Sequence, residues 1–153
     1  MGRNRERLKE LAESHERVEA VQITGDVEVD TKSLQSFGST NAYFDISPRE
    51  AANSTHFRSC ILALSHSGRM CFMGSVGGEL VIPLSVFVRR DLQLKGKWMY
   101  TRQIVRNLIK MIEVGMLKLG GQKVDQFALE DWEKAFNAAE EYAGTDGAAV
   151  IVP

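Results

Sequence analysis

The sequence predicts an α/β protein built on a parallel sheet. Short apolar strands alternate with helices of 10 to 15 residues, glycine or proline marks most junctions, and the clearest helix repeats isoleucine and leucine at helical spacing. The 153 residues allow one core of ordinary domain size. Hydrophobic residues at 44% and charged residues at 25%, with 13 Gly and only 3 Pro, exclude disordered and collagen-like classes.

The elements follow in order. Asn4 caps a helix to about Ser14, with Leu8, Leu11 and Ala12 on its apolar face. Val18 to Ile23 reads as a short strand, closed by Thr24-Gly25-Asp26, and the polar stretch Thr31 to Ser36 as a helix. Ala42 to Ile46 is a buried strand, and Ser54 to Ser65 a helix with Phe57, Cys60, Ile61 and Leu64 inward and Gly68 as its left-handed cap. Next come a strand at Arg69 to Met73, a glycine-rich loop at Gly74 to Gly78, a short helix at Pro83 to Arg90 and a strand at Leu92 to Trp98. Thr101 to Val114 is the clearest helix and stops at Gly115. The chain closes with a strand at Lys123 to Phe127, a helix at Leu129 to Ala143 that turns Trp132, Ala135, Phe136 and Ala139 inward, and a strand at Ala148 to Val152.

Nineteen Lys plus Arg against twenty Asp plus Glu leave a net charge of −1, so no global field gathers nucleic acid or anionic lipid. The longest apolar run, Gly78 to Val88, is broken by Glu79, Pro83 and Ser85 and falls short of the ~20 residues of a membrane span. The charged N-terminus has no signal-peptide core, and Cys60 and Cys71 read as reduced core thiols, which together suggest the cytoplasm. Neither cysteine has a histidine at metal-ligand spacing, so no metal site is expected; His15, His56 and His66 read as surface groups at helix faces or ends.

Three places invite an anionic or ring-bearing ligand. Gly74-Ser75-Val76-Gly77-Gly78 follows a strand, where open parallel sheets bind ligands, although it matches neither common glycine fingerprint. Leu94-Lys95-Gly96-Lys97-Trp98 sits one strand later, and its plain reading is a pair of solvated lysines. Arg3, just ahead of a helix start, is suited to fork onto a phosphate. Asp26 and Asp45 end strands and are candidates for ribose or adenine contacts, though aspartates there usually bond their own backbone.

The ordered strings MGRNRERLKELA, VDTKSLQSFG, DISP, RSCILALSHSGRMCFMGSVGG, LQLKGKWMY and ALEDWEKAFNAAEE resemble the C-terminal portion of zinc-dependent alcohol dehydrogenases, within the medium-chain dehydrogenase/reductase superfamily. The resemblance implies an incomplete Rossmann-type parallel sheet, its first βαβ missing, over residues 1–114, then a β-α-β return segment over 115–153 that would pack on a catalytic domain. It implies NADP as cofactor, with NAD as the alternative. Gly2, Arg3 and Asn4 would take the adenosine 2′-phosphate, and Asp26 and Val27 would lie near the adenine. Ile46, Ser47 and Pro48 would lie near the nicotinamide ribose, and the backbone at Met73, Gly74, Ser75, Lys97, Trp98 and Met99 near the nicotinamide ring. The family's zinc ligands and dinucleotide fingerprint have no counterpart in the 153 residues, so no catalytic residue is assigned and zinc would belong to a preceding domain. The expectation is a truncated, NADP-binding oxidoreductase portion, inactive alone. The alternative is a non-catalytic half-fold that pairs with a complementing chain or with its own copy.

Overall fold

The computed structural model describes residues 1–118, 123–142 and 147–152. The chain divides into two units, Met1–Met99 and Tyr100–Pro153.

In the first unit, Gly2 lies parallel to Gln22. Its N–H donates to the Val21 carbonyl at 3.0 Å, and its carbonyl accepts from Ile23 N–H at 2.8 Å. The strand expected at Val18 to Ile23 is therefore a single bridge, because the segment it meets turns at once into α1 (Arg5–Ser14). Asn4 caps α1, its side chain accepting from Arg7 N–H at 3.0 Å. Asp26 caps α2 (Val27–Gln35) by accepting from the N–H groups of Glu28 and Val29, which starts that helix earlier than the polar stretch alone suggests.

The strands β1 (Thr40–Asp45), β2 (Leu64–Phe72) and β3 (Gln93–Gly96) form a parallel sheet in that order. Crossover helices α3 (His56–Ala63) and α4 (Leu84–Arg89) join them, as parallel strands require. Buried Ile61, Leu64, Met70 and Leu92 form the core, with Tyr43, Phe72 and Phe87 packed against it. The sheet is thus the partial Rossmann-type arrangement that the sequence implied.

The end of α3 departs from expectation. Gly68 is not a left-handed cap but lies buried inside β2, and the left-handed residue is Ser67, at φ 56°. The helix closes because Leu64 becomes extended while the Arg90 guanidinium donates to the carbonyls of Leu62 and Leu64 at 2.7 and 2.6 Å. A cation from a distant helix satisfies the carbonyls that a C-terminal glycine usually serves.

In the second unit, Thr101 caps α5 (Arg102–Glu113) and Gly115, at φ 74°, stops it. Ile104, Leu108 and Ile109 on its apolar face are exposed. The strands β4 (Lys123–Ala128) and β5 (Gly147–Val152) pair in parallel around α6 (Trp132–Glu141), which follows a 3₁₀ turn at Leu129–Asp131. β4, α6 and β5 are the β-α-β expected near the C-terminus, while the unit itself begins at Tyr100 and includes α5, which the sequence reading placed with residues 1–114. Ala135 faces inward as expected, but Trp132, Phe136 and Ala139 are exposed, the two rings meeting edge to face at 6.1 Å. Two strands are too narrow to cover rings on both sides of a helix that approaches through an alanine. Ala143, the expected helix end, lies outside the described residues.

Ile61 has no exposed surface, so Ile61→Ala should lower stability by ~2 to 5 kcal/mol in urea unfolding. Phe136→Ala, at a ring 67% exposed, should change it by about 0.5 kcal/mol or less.

Candidate functional site

The carboxyl ends of the three parallel strands carry the candidate residues. Beyond β1 the chain runs through Ile46, Ser47 and Pro48, beyond β2 through Met73, Gly74 and Ser75, and beyond β3 through Lys97, Trp98 and Met99. Backbone bonds join these exits. Met73 and Gly74 N–H both donate to the Asp45 carbonyl, at 2.9 and 3.1 Å; Ser75 N–H donates to the Ser47 carbonyl at 3.1 Å, and Lys97 N–H to that of Phe72 at 2.8 Å. A Cβ on Gly74 would stand 2.5 Å from the Ser47 carbonyl oxygen and 2.7 Å from both Ser47 N and an Asp45 carboxylate oxygen. Only glycine fits there.

Gly2, Arg3, Ile46, Ser47 and Pro48 line one cleft of about 370 Å³, with His56 at its wall. A neighbouring cavity of about 270 Å³ shares Met1, Ile46, Ser47 and His56 and adds Tyr43 and Cys60. Two candidates are already engaged in capping, Asn4 on α1 and Asp26 on α2, and Val27 is half-buried in the first turn of α2. Lys97 is half-buried, Trp98 is 80% exposed, and Met99 holds a left-handed φ of 47°.

Beneath the cleft lies a polar network that sequence reading missed. His56 is buried rather than on the surface. Its Nε2 lies 2.9 Å from the Ser47 hydroxyl and 3.4 Å from Asp45 Oδ1, and its Nδ1 lies 2.7 Å from the Ser54 hydroxyl. The Asp45 carboxylate, 3% exposed, also accepts from the hydroxyls of Ser47 at 2.6 Å and Tyr43 at 3.0 Å, and from Ser47 N–H at 3.3 Å. Asp45, which also lines the smaller cavity, is thus engaged by Tyr43, Ser47 and His56 of its own unit. The one available signal was that His56 precedes Phe57 on the apolar side of α3, where their rings meet at 3.9 Å.

Burial pushes the His56 imidazole below its ordinary value. The bond and charge of Asp45 oppose that shift, and Arg3 and the N-terminal amine add to it. Burial raises the Tyr43 phenol, with the charges of Cys60 and Asp45 acting the same way. Burial also raises Cys60 to about 11, which keeps it a thiol at neutral pH and fits the inert reading.

Among the described residues no three His, Cys, Asp or Glu side chains converge on a metal position. The described residues therefore do not fit a catalytic zinc. None of the described helices is long and apolar enough to cross a membrane.

No family model matches the chain. The L-threonine 3-dehydrogenase of Anaeromyxobacter dehalogenans (strain 2CP-C) is 27% identical over 110 residues, 71% of this chain and 31% of that protein. The L-threonine 3-dehydrogenase of Shewanella frigidimarina (strain NCIMB 400) is 26% identical over 121 residues, 77% of this chain and 34% of that protein. The chain thus spans about a third of the length of these curated relatives. Among solved structures, AibC superimposes with a TM-score of 0.68 at 18% identity, covering 99% of this chain and 43% of AibC. The alcohol dehydrogenase of the hyperthermophilic archaeon Aeropyrum pernix gives 0.65 at 21%, covering 99% and 41%. A crotonyl-CoA carboxylase/reductase, AntE, in complex with NADP gives 0.61 at 14%, covering 82% and 31%. These likenesses establish the shared fold.

Two outcomes follow from the geometry. Gly74→Ala should cost ~1 to 3 kcal/mol, read as a lower urea midpoint, because backbone atoms must move to admit the methyl. Since the folded-state His56 value lies below the unfolded value of about 6.5, the stability linked to neutral His56 is fully present above about pH 6.5. It should be lost as pH falls from there through the lower folded-state value, and a His56→Gln chain should lack that loss in urea titrations across this range.

Proposed function

We propose, on the premise that the chain resembles the C-terminal portion of zinc-dependent alcohol dehydrogenases of the medium-chain superfamily, that it is the NADP-binding part of such an oxidoreductase and does not turn over substrate alone. The observation that carries this reading is the meeting of Gly2 and Arg3 with Ile46, Ser47 and Pro48 around one cleft at the carboxyl edge of a parallel sheet. Open α/β sheets bind nucleotides at that edge.

Each residue has a stated part. The Arg3 guanidinium forks onto the adenosine 2′-phosphate, with Gly2 allowing close approach and Asn4 fixing the helix start behind it. Asp26 and Val27 flank the adenine, and Ile46, Ser47 and Pro48 support the nicotinamide ribose. The backbone of Met73, Gly74 and Ser75, then of Lys97, Trp98 and Met99, orients the nicotinamide amide. The bound coenzyme supplies the hydride; this chain's residues hold it and exclude water. Residues 1–114 form the coenzyme part and 115–153 the segment that returns to a catalytic domain, in a cytoplasmic protein.

A second reading has its own support. Among the described residues the outer edge of β1 is unpaired in the sheet, and Phe44 and Ile46 beside it are exposed, which suits a non-catalytic half-fold completed by another chain or a second copy. An in-frame G-x-G-x-x-G encoded upstream of Met1 favours the oxidoreductase, and a stop codon there favours the half-fold.

Titration with 2′,5′-ADP and with ADP tests the coenzyme reading. The 2′-phosphate should tighten binding about ten- to a hundredfold, matching ~1.5 to 3 kcal/mol for a charge-assisted contact, and Arg3→Ala should remove that advantage while leaving ADP nearly unchanged. Equal losses for both ligands would defeat the assignment of Arg3. Steady NADPH oxidation by the purified chain with zinc and a panel of ketones would defeat the expectation of inactivity.

A further inference from the structure

The buried network beneath the cleft allows one arrangement of protons at neutral pH. A carboxylate only accepts, so the single Ser47 hydroxyl proton goes to Asp45 at 2.6 Å. The 2.9 Å contact between Ser47 and His56 must then be made by an Nε2–H donor. A neutral imidazole protonated at Nε2 has a bare Nδ1, which takes the Ser54 hydroxyl proton at 2.7 Å. Every polar atom of the ring is used. The chain Ser54 to His56 to Ser47 to Asp45 ends on the turn that walls the cleft, and the Ser47 carbonyl accepts from Ser75 N–H on the neighbouring strand exit.

We propose that His56 is a positioning residue: as the neutral Nε2–H tautomer it locks the Ser47 hydroxyl onto Asp45 and so holds the Ile46-Ser47-Pro48 turn against the Met73-Gly74-Ser75 exit. Its value to a coenzyme rests on the function proposed above, but the lock itself needs no ligand. The charges acting on the ring are Asp45 from β1 and Arg3 and the Met1 amine from the N-terminal segment, and Tyr43, Cys60 and Glu50 share the cavities that the ring lines. A proton added at Nδ1 removes the acceptor for Ser54 and places a third cation beside Arg3 and the Met1 amine. The charged ring then binds Asp45 directly, at the expense of Ser47. The turn loosens in acid while the sheet beneath it persists.

Ring and amide spectra of the whole chain test this without coenzyme. Long-range ¹H–¹⁵N correlations should show His56 as the Nε2–H tautomer near pH 7, titrating below the ordinary imidazole value of about 6.5. Hydrogen-exchange protection of the Ser47 and Ser75 amides should fall about tenfold as His56 protonates, while that of Ser59, which donates to the Thr55 carbonyl within α3, stays constant. In His56→Gln, whose side-chain N–H reaches Ser47 but does not titrate, protection should be kept and become independent of pH. In His56→Ala it should be low throughout, and should that variant fail to fold, the wild-type and glutamine results decide. An Nδ1–H tautomer, titration of His56 at or above about 6.5, protection indifferent to the ring, or a parallel loss at Ser59 would each overturn the proposal. Failure of 2′,5′-ADP to bind would count against the coenzyme reading and leave these results standing.

Discussion

The first unit is organised around the Asp45 carboxylate, almost wholly withdrawn from water at the end of β1. A buried anion without donors costs several kcal/mol, so the surrounding chain must supply them. Tyr43 does so from two residues back, Ser47 from two residues ahead with both hydroxyl and N–H, and His56 from the first turn of α3. The main-chain carbonyl of the same residue receives Met73 and Gly74 N–H from the next strand exit. One position thus fastens two strand ends and a helix start, and the floor of the cleft is the by-product of satisfying it. The closeness of Gly74 to Ser47 and Asp45 is the steric counterpart of those bonds.

Local chemistry was legible in the sequence where it acts over a few residues. Asn4, Thr101 and Gly115 bound their helices as their types require, and the strand–helix alternation gave the parallel sheet. Legibility failed where a partner lies far along the chain. Arg90, rather than Gly68, serves the end of α3, and His56 is buried because Asp45 and Ser47 come to meet it. Helical periodicity placed Ala135 inward correctly but not Trp132 or Phe136, since period alone does not say how wide the covering surface is. At the cleft, Arg3 beside a helix start was readable from residue chemistry. Its approach to Ile46, Ser47 and Pro48 depends on the Gly2–Gln22 bridge, which no spacing reveals.

The clamp formed by Arg90 also bears on the order in which the unit assembles. The reversal from α3 into β2 contains a left-handed serine, and its last carbonyls are satisfied by a side chain 26 to 28 residues further along. Closing a loop of that length is slow compared with forming a helix turn, so α3 can wind before its end is sealed. Until the end of α4 arrives, the corner stays frayed, and the β2–β3 pairing that delivers Arg90 also completes it. The corner therefore ties the final shape of one crossover to the placement of the next.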